Sequence, residues 1–329
     1  TLASFPSLTL TSRTRPKADP MTDQPNQPPS PFDPAQTAAT TEPQSPVGPD
    51  PEFDDEFTAH LRGMTEDPGR AMAAYWKAVF DLDEWHFIRQ PAQPGQPAPP
   101  PDAFQPVGAR IEDKMFILAF TNADRANACA RQNNIEQPDG AAAIITLPRT
   151  EAAETLCRIE SDQVDGVMFN SNRGEAGMYA PLHNIAAMYD HYHNALPAGC
   201  INAMAKAVQV QDKPEAWARL HQRVGDLDQW FFIADTSQPG LPRFAQVDNQ
   251  VMVLIFTDQQ RAAKGAAAAG GTDESGKIPL IPVPPAKAAE AVSQIAAQSQ
   301  GKLENAIFNA GSDAFIVDID TLQRIAPSA

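Results

Sequence analysis

Two short segments of this 329-residue chain place a threonine and an arginine at one fixed spacing. In the first, Thr121 follows an apolar run and Arg125 comes four residues later. In the second, Thr257 and Arg261 repeat the arrangement. A hydroxyl and a guanidinium at a helix start, where backbone amides point outward, are groups that bind an anion. The alternative interpretation is structural: each threonine caps a helix and each arginine lies in solvent.

Two asparagines lie where predicted strands end. Asn170 and Asn309 each follow a phenylalanine that closes an apolar run, and both lead into turn-forming stretches. Loops at strand ends often carry binding residues, so a polar binding loop is one hypothesis for both places. The candidate binding residues are therefore Thr121, Arg125, Asn170, Thr257, Arg261 and Asn309.

Three of the six histidines gather on one predicted helix. His183 and His191 are about two turns apart, and His193 faces a different side of the helix from His191. Because a metal ion needs ligands that converge on one point, we predict no metal site, and no cofactor is predicted either.

The cysteines occur singly, without a CxxC pair, at positions Cys129, Cys157 and Cys200. Thiols that stay reduced suit a cytoplasmic setting, which is the location we predict. The chain also lacks the GxSxG, HExxH, EF-hand and phosphate-loop spacings. We therefore predict no catalytic residue and a protein that is not an enzyme.

The elements that position these residues form a pattern that occurs twice. The apolar runs before Thr121 and Thr257 are short and do not alternate, which is typical of strands covered on both faces. An Ala-rich helix follows each run. Further strands are predicted at 84–89 and 229–234, at 104–110 and 243–247, and at 142–147 and 277–283. After them come helices at 149–160 and 285–300, a strand that ends in Phe-Asn, and a closing helix at 181–193 and 319–325.

The same pattern fixes the predicted domains. The stretch LDEWHFI at 82–88 matches LDQWFFI at 227–233, and later matches keep the same order, which indicates two copies of one domain. We predict the first copy at 52–194, a partly helical connector at 195–212 and the second copy at 213–329. The predicted fold class is α/β, with a mixed sheet of the α+β type.

The segment before the first copy has a different composition. Residues 1–51 are rich in Pro, Ser, Thr and Gln and poor in large apolar residues, which predicts disorder. A conventional-looking start at Met21 leads to one interpretation, that residues 1–20 lie upstream of the true start. An acidic cluster follows and is interpreted as a solvated helix start: Asp50, Glu52, Asp54, Asp55 and Glu56.

The charge of the chain narrows the choice of partners. Its formal net charge of −16 disfavours nucleic acid and anionic membranes. No apolar run approaches the length of about 18 residues that a transmembrane helix needs. The partner that we predict is another protein.

The repeated pattern resembles the SseB N-terminal domain family, also labelled enhanced serine sensitivity or, by transfer of the name, type III secretion system SseB. The resemblance covers roughly 70–194 and 213–327. It rests on the strand-to-helix junctions and the strand-ending asparagines: Phe120, Thr121, Phe256, Thr257, Asn170 and Asn309. It implies an α/β domain with a mixed sheet and no established enzymatic activity.

Three functional hypotheses remain open from the sequence. The first is a non-catalytic cytoplasmic interaction or regulatory protein. The second is a small-ligand binder or enzyme with a site at the junction of the copies, using His183, His191 and Cys200. The third, a secretion-associated factor, rests on the family label alone.

Overall fold

The structure is a computed structural model, and it describes residues 53, 55–91, 103–135, 142–159, 164–171, 177–235, 238, 241–247, 250–268, 279–311 and 314–326. The tail predicted at 1–51 lies outside these residues. The described residues fall into two compact units that divide between Ala207 and Val208. The division lies inside the predicted connector.

The described part of the first unit begins with two helices, α1 (Glu56–Gly63) and α2 (Pro68–Asp81). The strands of its sheet are β1 (Glu84–Ile88), β2 (Gly108–Ile111), β3 (Lys114–Phe120), β4 (Ile144–Pro148), β5 (Gly166–Phe169) and β6 (Met178–Pro181). The helices between and after them are α3 (Ala123–Gln132), α4 (Arg149–Cys157), α5 (Leu182–His193) and α6 (Ile201–Gln211), the last of which runs across the division.

The sheet of the first unit has the order β4-β1-β3-β5-β6, and β2 pairs with β3 beside this path. Only β3 and β5 run parallel, with Phe116 opposite Gly166 and Ala119 opposite Phe169; the other described pairings are antiparallel. The parallel pair brings the ends of two strands to one edge, and the residues after those ends become neighbours.

The second unit contains α7 (Pro214–Gly225), β7 (Trp230–Ile233), β8 (Phe244–Val247), β9 (Gln250–Ile255), α8 (Gln259–Ala268), β10 (Leu280–Val283), α9 (Pro285–Gln298), β11 (Leu303–Phe308), β12 (Phe315–Asp318) and α10 (Ile319–Ile325). Its strands pair as β12-β11-β9-β8 and as β10-β7, and a bridge between Phe231 and Phe256 sets β7 beside the end of β9. Strands β9 and β11 are the parallel pair. From α2 and α7 onward, the order of elements is therefore the same in both units.

Equivalent tryptophans anchor the two sheets. The indole of Trp85 donates to the carbonyl of Val79 at 3.0 Å, and the indole of Trp230 donates to Val224 at 2.9 Å. Both rings are fully buried. A buried indole needs an acceptor for its N–H, and the preceding helix supplies that acceptor in each unit.

The predicted fold class, α/β with a mixed sheet, is confirmed. Two strands were not predicted: β6 and β12 pair antiparallel with β5 and β11, in places where the sequence led us to expect a loop before the closing helix. The predicted connector is mostly the helix α6. Within the described ranges, no helix is both long and apolar enough to cross a lipid bilayer.

Candidate functional site

The ends of β3 and β5 meet in a buried hydrogen-bonded pair. Asn170 follows β5 with a positive φ of 55°, a conformation that asparagine tolerates better than most residues. Its side-chain oxygen accepts from the backbone amide of Thr121 at 3.0 Å and from the hydroxyl of Thr121 at 3.1 Å. Its side-chain amide donates to the hydroxyl of Tyr75 at 3.2 Å. The asparagine thus ties two strand ends to α2.

The second unit builds the same pair. Asn309, with φ of 51°, accepts from the amide of Thr257 at 2.9 Å and from its hydroxyl at 3.3 Å. The amide of Asn309 lies 2.9 Å from the hydroxyl of Thr257 and donates to it, where Asn170 uses Tyr75. In both units, therefore, the amide and hydroxyl of the threonine donate to the asparagine at the end of the neighbouring parallel strand.

The prediction that Thr121 and Thr257 cap helices is wrong. The caps are the next residues, since the side chain of Asn122 accepts from the amide of Arg125 at 2.9 Å and Asp258 accepts from Arg261 at the same distance. The threonines come one residue too early because they belong to the strand-end pair.

The interpretation of Arg125 as a solvated side chain is also wrong. Arg125 is 0% exposed, although it lies on the first turn of α3. Its guanidinium donates to both carboxylate oxygens of Asp55, from Nε at 3.2 Å and from Nη2 at 2.9 Å. Nη2 also donates to the hydroxyl of Thr58 at 2.8 Å, and the ring of Phe53 lies 4.5 Å from the guanidinium carbon. The side chain is enclosed by carboxylate, hydroxyl and aromatic groups.

All of these partners come from one segment, which we call the strap: Phe53 together with residues 55–63. Asp55 caps α1 by accepting from the amide of Thr58 at 3.0 Å, and the hydroxyl of Thr58 donates to the carbonyl of Phe53 at 2.9 Å. Phe57 is buried and meets Tyr75 edge to face at 5.6 Å. Hydrogen bonds within the strap therefore stabilise its fold, and its contacts with Arg125 attach it to α3.

The charge of Asp55 is maintained by these contacts. Burial acts to raise the pKa of Asp55, but hydrogen bonds from Arg125 and from the amide of Thr58, with the attraction of the guanidinium, outweigh it, so the pKa lies below its usual value. The acidic cluster was interpreted as a solvated helix start. For Asp55 the helix start is right, but one-third of its side chain remains exposed and the rest belongs to the arginine contact.

Arg261 is also buried, but its carboxylate partner lies only three residues away. Its Nη1 donates at 2.7 Å to the carboxylate of Asp258, the residue that also caps its own helix. At the equivalent cap the first unit has Asn122, which carries no charge. The sequence shows this difference between the units, because an aspartate lies three residues before Arg261 and an asparagine lies three residues before Arg125. Nothing in the sequence indicated that Asp55 would be the carboxylate partner of Arg125.

The six predicted site residues are thus grouped within each unit, and all of them are buried. Thr121 contacts Asn170, and Thr257 contacts Asn309, whereas Arg125 and Arg261 bind carboxylates. Of the loops that follow the asparagines, residues 172–176 and 312–313 lie outside the described ranges. A polar binding loop at these strand ends stays a prediction.

The histidine and cysteine candidates are placed differently from one another. His191 is exposed, His183 is half-buried, and Cys200 is fully buried. Burial, together with the nearby charge of Lys206, lowers the pKa of His183, which is therefore neutral near pH 7. No set of three or more His, Cys, Asp and Glu side chains among the described residues is arranged to hold a metal ion.

Cys129 is an apolar core residue on α3. Burial raises the pKa of the Cys129 thiol to about 11, although a hydrogen bond from the side chain of Asn133 acts in the opposite direction. A thiol with so high a pKa is protonated near neutral pH and is a poor nucleophile. All three cysteines of the chain are described, and they are present as thiols and not as disulfides.

One polar group that the sequence did not indicate lies between β1 and β4. His86 Nδ1 is 3.0 Å from the hydroxyl of Thr146, and Nε2 is 3.5 Å from a carboxylate oxygen of Glu84. Burial lowers the pKa of His86, while Glu84 acts to raise it. Since His86 and Thr146 are directly opposite in the strand register, cross-strand pairing is a sufficient explanation of their contact.

Comparisons with known proteins add little to this geometry. No family model matches the chain, and no curated protein matches it. Among solved structures, Tic22 from Plasmodium falciparum is similar at 9% identity and a TM-score of 0.18, with 69% of this chain and 88% of that chain covered. Anabaena Tic22, described as protein transport, is similar at 10% identity and a TM-score of 0.18, with 69% and 89% covered.

Proposed function

We propose that this chain is a non-catalytic cytoplasmic interaction or regulatory protein of the SseB-like kind. The observation that carries the proposal is the seating of the strap on Arg125. A short segment that precedes the elements shared by the two units is held by a bidentate ion pair, a hydroxyl and an aromatic ring. Arg125, a residue of the repeated pattern, thus holds a short segment of the same chain through specific side-chain contacts, which supports a role in recognising other proteins.

The remaining candidate residues support the same proposal. Thr121 forms hydrogen bonds with Asn170 within the first unit, and Thr257 forms them with Asn309 within the second. The Cys129 thiol, whose pKa is raised to about 11 by burial, is suited to packing and not to nucleophilic chemistry. Three thiols in the reduced form are in keeping with the cytoplasmic location that is part of the proposal.

The test is capture of the full chain from its own cells. The chain would carry a C-terminal tag, cells would be cross-linked before lysis, and co-purified proteins would be quantified by mass spectrometry against an untagged strain. We expect one or a few proteins to be enriched in every replicate and to fractionate with the cytoplasm. If no protein is enriched, and the purified chain instead shows turnover or a thermal shift with a small-molecule library, the proposal is wrong.

A further inference from the structure

The first unit carries an arginine that forms an ion pair with a residue outside the elements that the two units share. The carboxylate that meets Arg125 belongs to Asp55, 70 residues earlier in the chain. In the second unit the matching arginine, Arg261, has the acid at its own helix cap, Asp258. The first unit has neutral Asn122 in that place. Its arginine is therefore met by a carboxylate that a separate segment brings.

The side chains of the strap that contact Arg125 and Tyr75 lie within six consecutive positions, 53–58. Phe53 covers the guanidinium face, Asp55 binds its edge through two hydrogen bonds, and Thr58 accepts a third. Phe57 fills the neighbouring place against Tyr75. The spacing is Phe-x-Asp-x-Phe-Thr, which combines one acid with two aromatic anchors and one hydroxyl.

We propose that the Arg125 surface of the first unit is a peptide-docking site that the strap occupies in cis, and that a partner protein binds by presenting an acidic segment of the Phe-x-Asp-x-Phe-Thr type in its place. This inference rests on the proposed interaction function and names the chemistry of the partner. A planar guanidinium favours a carboxylate that accepts two parallel hydrogen bonds, so the acid is the specific element. The aromatic side chains supply the buried apolar area.

Because the strap belongs to the same chain, its occupation of the site controls the access of a partner. A tethered segment competes at an effective concentration on the order of millimolar, so a partner peptide must bind more tightly or arrive when the strap is released. The strap and the partner bind the same guanidinium and exclude one another. Release of the strap would take the carboxylate of Asp55 away from Arg125, which is the condition that favours an acidic partner.

The test uses the full chain and a fluorescent peptide of residues 50–64. In the variant Asp55→Arg, like charges separate the strap from Arg125 and open the site. The matched control is Asp67→Arg, which removes the cap of α2 and makes the same charge change away from Arg125. A peptide with Asp55→Asn and the double variant Asp55→Arg/Arg125→Gln complete the set, and binding is followed by fluorescence anisotropy.

We expect the Asp55→Arg chain to bind the peptide roughly a hundredfold more tightly than the wild-type and Asp67→Arg chains, because the tethered competitor is gone. The peptide with Asp55→Asn and the Arg125→Gln double variant should lose that gain. A folded Asp55→Arg chain that does not bind the peptide overturns the proposal, and so does equal binding after Arg125→Gln.

A second measurement covers the case in which Asp55→Arg does not fold. Excess unlabelled peptide is added to the wild-type chain, and amide hydrogen exchange is followed in the strap and in α3. Faster exchange at 55–63 with unchanged protection at 123–132 supports displacement of the strap. Unchanged exchange in the strap at peptide concentrations above about 1 mM overturns it.

The two proposals fail in different ways. A cellular partner whose capture is unaffected by Arg125→Gln, together with no peptide binding, leaves the interaction function standing and removes the docking site. Peptide binding that depends on Arg125, together with no cellular partner, does the reverse.

Discussion

Arg125 and Asp55 form a bidentate ion pair across 70 residues of chain, with hydrogen bonds of 3.2 and 2.9 Å. The arginine is fully buried and the aspartate is about one-third exposed. The pair joins the strap to the first turn of α3, and it replaces the local pair of Arg261 with Asp258 in the second unit. One equivalent arginine is thus balanced locally and the other at long range.

An aspartate at the cap of α3, position 122, is expected to compensate in part for the loss of Asp55 from the strap. Asp55→Asn should cost the first unit about 1–3 kcal/mol, since a buried guanidinium loses its charged acceptor. Adding Asn122→Asp reproduces the arrangement of Asp258 and should recover part of that cost. Denaturant unfolding of the single and double variants measures the recovery, with the exposed substitution Glu66→Gln as a control that should change little. No recovery in the double variant would show that the two units are not equivalent here.

Asn170 is expected to be the most sensitive polar residue of the strand-end pair. Asn170→Ala removes the acceptor of two buried donors on Thr121 and forces alanine to a positive φ, for a combined cost of about 2–5 kcal/mol. The control is Asn134→Ala, at an exposed position with φ of 54°, where only the backbone cost of about 1–2 kcal/mol applies. Equal losses of unfolding free energy in the two variants would contradict a stabilising role for the Thr121 contact.

The sequence predicted much of the fold, because its strongest signals are local. Apolar runs without alternation indicated the central strands, and the match of LDEWHFI with LDQWFFI indicated two copies. Strands β6 and β12 were missed because each lies between a turn-forming stretch and the closing helix, and the sequence was interpreted as a loop that leads directly into that helix. Short strands of this kind form because β5 and β11 offer an unpaired edge.

The site was less accessible to sequence reasoning, because its contacts are long-range. Thr121 was assigned as a cap from its spacing, but its hydroxyl binds Asn170, 49 residues later, and Asn122 takes the cap. Asp55 lies in a cluster of acidic residues, and no feature of the local sequence distinguishes it from the others. Only the fold selects which carboxylate reaches Arg125.

Acid is expected to weaken the attachment of the strap. The folded-state pKa of Asp55 lies below its usual value, so its contribution to stability is complete above the unfolded pKa and is lost as pH falls through the folded pKa. The wild-type chain should therefore lose more stability than Asp55→Asn between about pH 5 and the folded-state pKa. Thermal unfolding of both chains across that range, with hydrogen exchange in the strap, measures the difference. Parallel pH profiles would argue against a charged Asp55 in the folded chain.

Cys129 is expected to resist thiol reagents in the folded chain. A rise of its pKa from 9.0 to about 11 lowers the thiolate fraction at pH 8 by about a hundredfold, and burial adds a steric barrier. In a variant with Cys157→Ser and Cys200→Ser, the remaining thiol should react slowly with Ellman's reagent and rapidly after unfolding in guanidinium. Rapid reaction in the folded variant would show that Cys129 is accessible and reactive.

The most direct measurement is a double-mutant cycle between Asp55 and Arg125. The free energy of unfolding is determined for the wild-type chain, Asp55→Asn, Arg125→Gln and the double variant, with hydrogen exchange in α2 and α3 used to follow the first unit. We predict a coupling energy of about 1–3 kcal/mol, so that the double variant loses much less than the sum of the single losses. Additive losses, within about 0.5 kcal/mol, would contradict the claim that Arg125 holds the strap through Asp55.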